Sequence, residues 1–97
     1  MDNPINALAQ YRSHKVVRAG KILSLTPPGE IDSGHWVLQV VQGSEEGAKA
    51  VEIKVKKDVF ARSIPEPGAY FVVYADGYQS WSPAAAFEEG YNRIQNS

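Results

Sequence analysis

Hydrophobic and polar residues alternate most regularly between residues 49 and 57. Val51, Ile53 and Val55 occupy every second position, and charged residues stand between them. A period of two is typical of a strand with one face packed and the other in water. Residues 35–42 also form a strand pattern, with Trp36, Leu38 and Val40 alternating against Val37, Gln39 and Val41, and a polar segment containing glycines separates the two runs. The pattern predicts an antiparallel hairpin with one solvent-facing side.

A second hairpin is predicted in the aromatic-rich part of the chain, around Asp76-Gly77. Both central residues of a type I′ turn need positive φ, and Asp-Gly tolerates this well. A two-residue loop would pair Ala75 with Tyr78. Both faces of this hairpin are apolar, so we expect one to meet the domain core. The other is then covered by a helix, a second subunit or a ligand.

A helix is predicted after this hairpin. Ser82 is a good N-cap, and Pro83 is favoured just after a cap. Phe87 and Tyr91 lie four residues apart and Ile94 follows three residues later, so the three share one apolar stripe of the helix.

Helical turns are also expected at two other places. Asn3 before Pro4 is typical of a helix start and predicts a short helix, or a flexible arm, over residues 1–11. Asp58 is a possible N-cap for one or two turns that end before Pro65.

The apolar segment 15–26 completes the predicted sheet. Neither of its faces is cleanly polar, so either both faces are partly covered or Gly20 marks a β-bulge that resets the alternation. The chain is therefore predicted to be a single α+β domain over residues 1–97, a small, mostly antiparallel sheet with a C-terminal helix packed on it. The predicted strands are residues 15–26, 35–42, 49–57, 69–75 and 78–81.

The composition of the chain argues against several classes of function. The chain has 97 residues, a net charge of −1 and no cysteine. Proteins that bind long nucleic acids are usually basic, and disulfides or thiolate metal sites need cysteine. No apolar run approaches the roughly 18 residues of a membrane span. The first residues also lack the basic and apolar regions of a signal peptide. We therefore expect a cytoplasmic protein with no membrane and no long nucleic acid as partner.

No motif for catalysis or cofactor binding is recognisable. His14 and His35 lack the ligand spacing of a zinc site. There is no glycine-rich loop followed by Lys-Ser or Lys-Thr, and no Gly-x-Ser-x-Gly elbow. Glu88 and Glu89 are adjacent and diverge by about 100° on a helix, so they cannot form a catalytic pair. We predict a protein that is not an enzyme and has no metal or cofactor.

A basic set near the N-terminus is the first feature that can bind a ligand. No acidic residue interrupts it, and arginine is suited to bidentate contacts with phosphate. The alternative is a solvated strand edge that resists aggregation. The set consists of Arg12, His14, Lys15, Arg18 and Lys21.

An aromatic set in the second hairpin is the other feature. Such rings can form a platform on which a nucleotide base stacks. The alternative is a small core and an oligomer interface, where aromatic residues are enriched. The set consists of Tyr70, Tyr74, Tyr78 and Trp81.

Both ends of the chain resemble a family of small bacteriophage and prophage proteins. The resemblance is carried by YRSHKVVRA at residues 11–19 with Lys21-Ile22, and by GAYFVVYADGYQSWSP at residues 68–83 with Phe87-Glu88 and Gly90-Tyr91. It implies a phage origin and action in the cytoplasm of the infected bacterium. The overall layout is also similar to Thoeris anti-defence sponges, phage proteins that sequester cyclic nucleotide signals. Neither resemblance assigns a binding role to a particular residue of this chain.

These observations together predict a non-catalytic phage protein that sequesters an anionic small molecule, such as a cyclic nucleotide or oligonucleotide immune signal, at the interface of a homo-oligomer. The alternative is a phage inhibitor or accessory factor that binds a host or phage protein through the aromatic hairpin. The predicted ligand-binding residues are Arg12, His14, Lys15, Arg18, Tyr74, Tyr78 and Trp81.

Overall fold

The structure is a computed structural model that describes residues 3–12, 16–42 and 49–93. It confirms the α+β fold: an antiparallel sheet with one α-helix near the C-terminus of the described part. The strands are β1 (Ala9–Arg12), β2 (Val16–Thr26), β3 (His35–Val41), β4 (Ala50–Lys56), β5 (Tyr70–Val73), β6 (Gln79–Ser82) and β7 (Asn92–Arg93). The α-helix is α1 (Ala84–Gly90), and 3₁₀ turns span Pro4–Ala7 and Lys57–Phe60.

The long strand β2 connects the two halves of the domain. In its first half, Ala19 is paired with Ala9 of β1 on one edge and with Val72 of β5 on the other. In its second half β2 pairs with β3, which continues into the β3–β4 hairpin. The backbone N–H of Ile22 donates to the Ala69 carbonyl at 2.8 Å on the β5 side. The pairing with β3 therefore lies on the same edge as β1.

Gly20 is where the chain crosses from one half to the other, and the reason for glycine is a close approach. A Cβ at this position would lie 2.5 Å from the Val41 carbonyl oxygen and 2.7 Å from a Val40 methyl group. The sequence allowed a bulge at Gly20 or two covered faces. The irregularity lies between Ile22 and Ser24, where the pairing with β3 shifts, and both faces of β2 are partly covered, since Ile22 and Val17 belong to different hydrophobic clusters.

The β3–β4 hairpin is confirmed in detail. Its register runs from His35 opposite Lys56 to Val41 opposite Ala50. Ile53 and Val55 of β4 are buried, and the charged residues between the apolar positions of β4 are exposed.

Two hydrophobic clusters lie on opposite faces of β5. Phe71 and Val73 enter the main core, to which β2, β3, β4 and the Lys57–Phe60 turn also contribute. Tyr70 and Val72 enter a second cluster that includes Phe87 of α1. All four residues of β5 are buried. The sequence left open what covers the second apolar face of the hairpin. Helix α1 covers this face at Tyr70 and Val72.

A stack of three rings attaches α1 to the sheet. Phe87 lies between Tyr70 and Tyr91, with centroid distances of 4.3 and 4.6 Å and nearly parallel planes. The edge of Tyr11 from β1 meets Phe87 at 4.8 Å. Phe87 and Tyr91 of the predicted stripe therefore pack onto the sheet, but α1 ends at Gly90 and Tyr91 follows it in an extended conformation. Ile94 lies outside the described residues.

The second hairpin is confirmed, but its register differs from the prediction by one residue. Val73 pairs with Gln79 and not with Ser80. The loop therefore has three residues, 75–77, and its last residue Gly77 has a φ of 91°. Three-residue hairpin loops commonly end with a residue in this left-handed region. The Asp-Gly sequence is therefore compatible with this loop as well as with a two-residue loop.

The change of register changes which side chains share a face. The predicted pairing of Ala75 with Tyr78 is wrong, because Tyr78 lies opposite Tyr74 and closes the hairpin. Trp81 lies opposite Phe71, on the side of the main core. A shift of one residue always has this effect, since side chains alternate between the two faces.

The ends of the predicted helices also differ from expectation. Asn3 caps the N-terminal turn as predicted, since its side chain accepts a hydrogen bond from the Ile5 N–H at 3.0 Å. That turn ends at Ala7, however, and the following residues form β1 rather than helix or arm. Ser82 is the last residue of β6, and neither it nor Asp58 acts as an N-cap; the cap positions are Pro83 and Lys56.

A small polar cluster fastens the loop between β2 and β3. One carboxylate oxygen of Asp32 lies 2.9 Å from His35 Nδ1 and accepts a hydrogen bond of 2.9 Å from the Gly34 N–H. The other oxygen lies 3.4 Å from Lys54 Nζ on β4. These contacts, above all the hydrogen bond with His35, lower the pKa of Asp32 to about 2. The loop is thus tied to β4 by a carboxylate that stays charged in acid.

We predict that Gly20→Ala destabilises the domain by about 1–3 kcal/mol, because the new methyl group meets backbone that cannot move aside freely. Gly90→Ala is the matched control: a Cβ there has no neighbour within 4 Å. We expect the control to be neutral or to stabilise by up to about 1 kcal/mol, because alanine favours a helix over glycine. Urea denaturation of both variants measures the difference. Equal stability of the two would contradict the close approach.

We predict that Asp32→Asn destabilises the protein at neutral pH and that its effect disappears in strong acid. Because the folded pKa of Asp32 lies near 2, below its ordinary value of 3.8, the contribution of this charge is present above pH 4 and is lost between pH 4 and 2. Urea midpoints at pH 7, 4 and 2 measure it. Asp58→Asn is the control, since no ion pair of Asp58 is found in the described part of the chain. An Asp32→Asn effect that is the same at every pH would overturn the assignment.

Candidate functional site

Arg18 is the best-positioned cation of the basic set. It lies on β2 between β1 and β5, and its side chain is half-buried. Its guanidinium donates hydrogen bonds to the backbone carbonyls of Asn6, at 3.2 Å, and Leu8, at 2.9 Å. Within the described residues it forms no ion pair with a carboxylate. Arg18 therefore holds the N-terminal segment in place and keeps a positive charge that is not neutralised.

The rest of the basic set is not gathered around Arg18. Arg12 is exposed at the end of β1. Lys21 points to α1, where its Nζ lies 3.8 Å from the Glu88 carboxylate. His14 and Lys15 lie outside the described residues.

A groove of about 480 Å³ runs between the N-terminal segment and the loop of the second hairpin. We call it the Arg18 groove. Arg18 and Tyr74, one from each predicted set, both line it. Arg18 is paired with Val73 and shares its face of the sheet, whereas Tyr74, the next residue, belongs to the other face, so the groove is lined from both faces. The other lining residues are Asn3, Ile5, Asn6, Gln10, Val16, Val17, Val73, Ala75, Gly77 and Gln79.

The aromatic set is divided by the fold. Tyr70 is 8% exposed and stacks on Phe87. Its hydroxyl donates a hydrogen bond of 2.8 Å to the Glu88 carboxylate. Trp81 is half-buried and packs against the main core, on the face opposite to Tyr74. For Tyr70 the packing alternative is therefore the better description, and Trp81 lies apart from the Arg18 groove.

Tyr74 and Tyr78 remain together next to the groove. Their ring centroids are 5.8 Å apart with an interplanar angle of 35°. A base inserted between two rings needs them roughly 7 Å apart, twice the contact distance of about 3.5 Å. No base fits between them. Tyr78 is 64% exposed, so its outer face is the surface on which a base can stack.

A second cavity adjoins these rings. This Tyr74–Tyr78 pocket has a volume of about 490 Å³ and is lined by Tyr74, Ala75, Asp76 and Tyr78. Tyr74 and Ala75 line the Arg18 groove as well, so the two cavities meet at these residues.

The charges of the two cavities differ in sign. Asp76 stands in the Tyr74–Tyr78 pocket, where its carboxylate accepts a hydrogen bond of 3.0 Å from the Tyr78 N–H. A carboxylate repels phosphate, whereas the guanidinium of Arg18 attracts it. The Arg18 groove therefore favours anionic groups, and the Tyr74–Tyr78 pocket disfavours them.

Tyr91 connects Tyr74 of the groove to the helix cluster. It packs on Phe87, and its hydroxyl is hydrogen bonded to that of Tyr74. Burial raises the pKa of the Tyr91 hydroxyl, and the neighbouring Tyr74 adds to the increase. Tyr74 is thus fixed by the helix cluster while it lines the groove.

Four residues with amide side chains line the groove and were not predicted as part of a site: Asn3, Asn6, Gln10 and Gln79. Amide groups can donate and accept hydrogen bonds. Gln10 reaches the groove because residues 9–12 form a strand beside β2, where the sequence predicted a helix or an arm. A period-two interpretation of residues 8–12 is the signal that would have found it.

Comparisons with known proteins give no further guidance, since no family model, no curated protein and no solved structure matches the chain. Among the described residues, no cluster of three or more His, Asp or Glu side chains is arranged to hold a metal ion. In the same part of the chain, no helix has the length and apolar character to cross a bilayer. The resemblance to phage proteins and the role of the site residues stay predictions.

We predict that the Tyr74–Tyr91 contact contributes stability that is lost in alkali. Because the folded pKa of Tyr91 is raised, its contribution is complete below the unfolded value of about 10 and falls as pH rises through the folded pKa. Tyr91→Phe should make the loss of stability between pH 9 and 11 less steep. Thermal melting across that range measures it. Tyr78→Phe, at an exposed ring, is the control; the same slope in wild type and Tyr91→Phe would contradict the assignment.

Proposed function

We propose that the protein is a non-catalytic binding protein that captures an anionic small molecule of nucleotide type. The observation that carries the proposal is that Arg18 and Tyr74, predicted separately as a phosphate contact and an aromatic contact, line one groove. Tyr78 extends the aromatic surface to the adjoining pocket. A cation next to an exposed ring is the combination by which proteins hold phosphate and base together.

The proposed binding mode follows from the geometry. The phosphate lies in the Arg18 groove, where Gln10 and Gln79 supply additional donors. The base stacks on the outer face of Tyr78. Arg12 is not among the residues that line the groove, and Trp81 faces the main core. The proposal therefore rests on Arg18, Tyr74 and Tyr78.

The biological role is proposed from the resemblance of the chain ends to phage proteins. In an infected bacterium, a protein that holds a cyclic nucleotide or oligonucleotide signal without converting it lowers the free signal and blocks the defence response. Binding at a homo-oligomer interface is part of this proposal. Asn3, Asn6 and Val16 line the groove and are exposed, so a second copy of the chain has room to cover the ligand there.

Isothermal calorimetry against a panel of cyclic mono-, di- and oligonucleotides tests the proposal. We expect saturable heat with at least one of them and a weakening of about tenfold or more on Tyr78→Ala, since stacking on an aromatic side chain contributes about 1–3 kcal/mol per base. Arg18→Gln should weaken binding by a similar factor, because hydrogen bonds to charged groups contribute about 1.5–3 kcal/mol.

Lys57→Gln is the matched control for Arg18→Gln. It removes one positive charge from an exposed residue that does not line the groove. Circular dichroism must show that Arg18→Gln keeps its fold, since Arg18 also bonds Asn6 and Leu8. Equal weakening by the two variants, or no heat and no thermal shift with any nucleotide, would overturn the proposal. Recovery of a hydrolysed ligand after denaturation would show turnover instead of capture.

A further inference from the structure

Strand β6 has a backbone edge that no described residue pairs. The Tyr74 N–H donates to the Tyr78 carbonyl at 2.9 Å, which fixes the hydrogen-bonding phase of the hairpin. In an antiparallel pair, hydrogen-bonded and non-hydrogen-bonded positions alternate. Ser80 therefore bonds to β5, whereas the N–H and C=O groups of Gln79 and Trp81 point away from it. Among the described residues, no hydrogen bond to these four groups is found.

This edge also lacks the features that usually block edge pairing. Natural edge strands carry charged side chains or proline, which prevent another chain from adding to the sheet. Strand β4 follows this rule, with Glu52, Lys54 and Lys56 exposed along it. Strand β6 contains no charge and no proline; its residues are Gln79, Ser80, Trp81 and Ser82.

A cleft of about 500 Å³ runs along the unpaired edge. It lies between β6 and the segment that follows β4, which contributes Asp58, Val59, Ala61, Arg62 and Ser63. Val59 and Trp81 give the cleft an apolar part, and Asp58 and Arg62 add one charge of each sign. Gln79 and Trp81, whose backbone groups are unpaired, both line this space.

We propose that the cleft accepts an extended peptide segment of a partner protein, which adds to β6 as a further strand. Only a polypeptide backbone supplies donors and acceptors at the spacing of a strand edge, and this mode of recognition draws its affinity from main-chain hydrogen bonds. An apolar side chain of the peptide would pack against Val59 and Trp81. A second copy of this chain fits less well, because each copy would bring its own residues 58–63 into the space that one strand needs. The proposal does not depend on small-molecule capture.

A pair of substitutions at Gln79 separates the backbone contact from the side chain. Gln79→Pro removes the outward N–H without removing a bond to β5, and proline is tolerated on such an edge. Gln79→Ala removes the same side chain and keeps the N–H. Ser80→Pro, which removes a bond to β5, is expected to destabilise the fold and so verifies the hydrogen-bonding phase.

The probe is a set of 12-residue peptides selected from a random displayed library on the immobilised full chain and then synthesised. We expect peptides that bind wild type and Gln79→Ala with similar affinity and Gln79→Pro about tenfold more weakly, the cost of losing one main-chain bond and leaving its partner unsatisfied. Amide hydrogen exchange should show the Gln79 and Trp81 N–H groups exchanging freely in the unbound protein and protected in the complex.

Three outcomes would overturn the proposal. The first is that no peptide survives selection. The second is equal binding to Gln79→Pro and Gln79→Ala, or selected peptides that leave both amides unprotected. The third is self-association in sedimentation that protects the same two amides without any peptide, which would make a second copy the occupant of the edge.

Discussion

Backbone pairing of β2 along both of its edges holds this domain together. One edge carries β1 and then β3, and the other carries β5. The two halves can share this strand only because Gly20 leaves room for the backbone of Val41. The main core, the helix cluster and the Arg18 groove are all assembled on strands that pair directly with β2 or with its neighbours. A side chain at position 20 would separate the elements on which each of them depends.

Regular alternation made part of the fold predictable. The β3–β4 hairpin was correct in position, pairing and buried face because one side is apolar and the other charged. The second hairpin lacked that contrast. With both faces apolar, the pattern could not distinguish a two-residue from a three-residue loop, and Asp76-Gly77 is compatible with both. The N-terminal strand was missed because Asn3-Pro4 determines only the first turn, whereas residues 9–12 become a strand through their pairing with β2.

The candidate site, like the fold, was predictable from the sequence only in part. Arg18, Tyr74 and Tyr78 were predicted from side-chain chemistry alone. Their arrangement depends on the pairing of Arg18 with Val73, a contact between residues far apart in sequence that no local pattern encodes. Trp81 was grouped with Tyr74 for its aromatic chemistry, and the observed register places it on the opposite face. The amides of Gln10 and Gln79 were overlooked because amide side chains carry no charge or periodic signal.

Helix α1 has only seven residues, and no side chain caps its first turn. Helices this short are not stable alone in water. Its formation therefore depends on the Tyr70–Phe87–Tyr91 stack, whose first ring belongs to β5. The helix is consequently ordered by the sheet and not by its own sequence, because Tyr70 of β5 supplies the ring on which Phe87 packs. Since Tyr91 follows α1 directly and contacts Tyr74, unwinding of α1 would also remove the support of a residue that lines the groove.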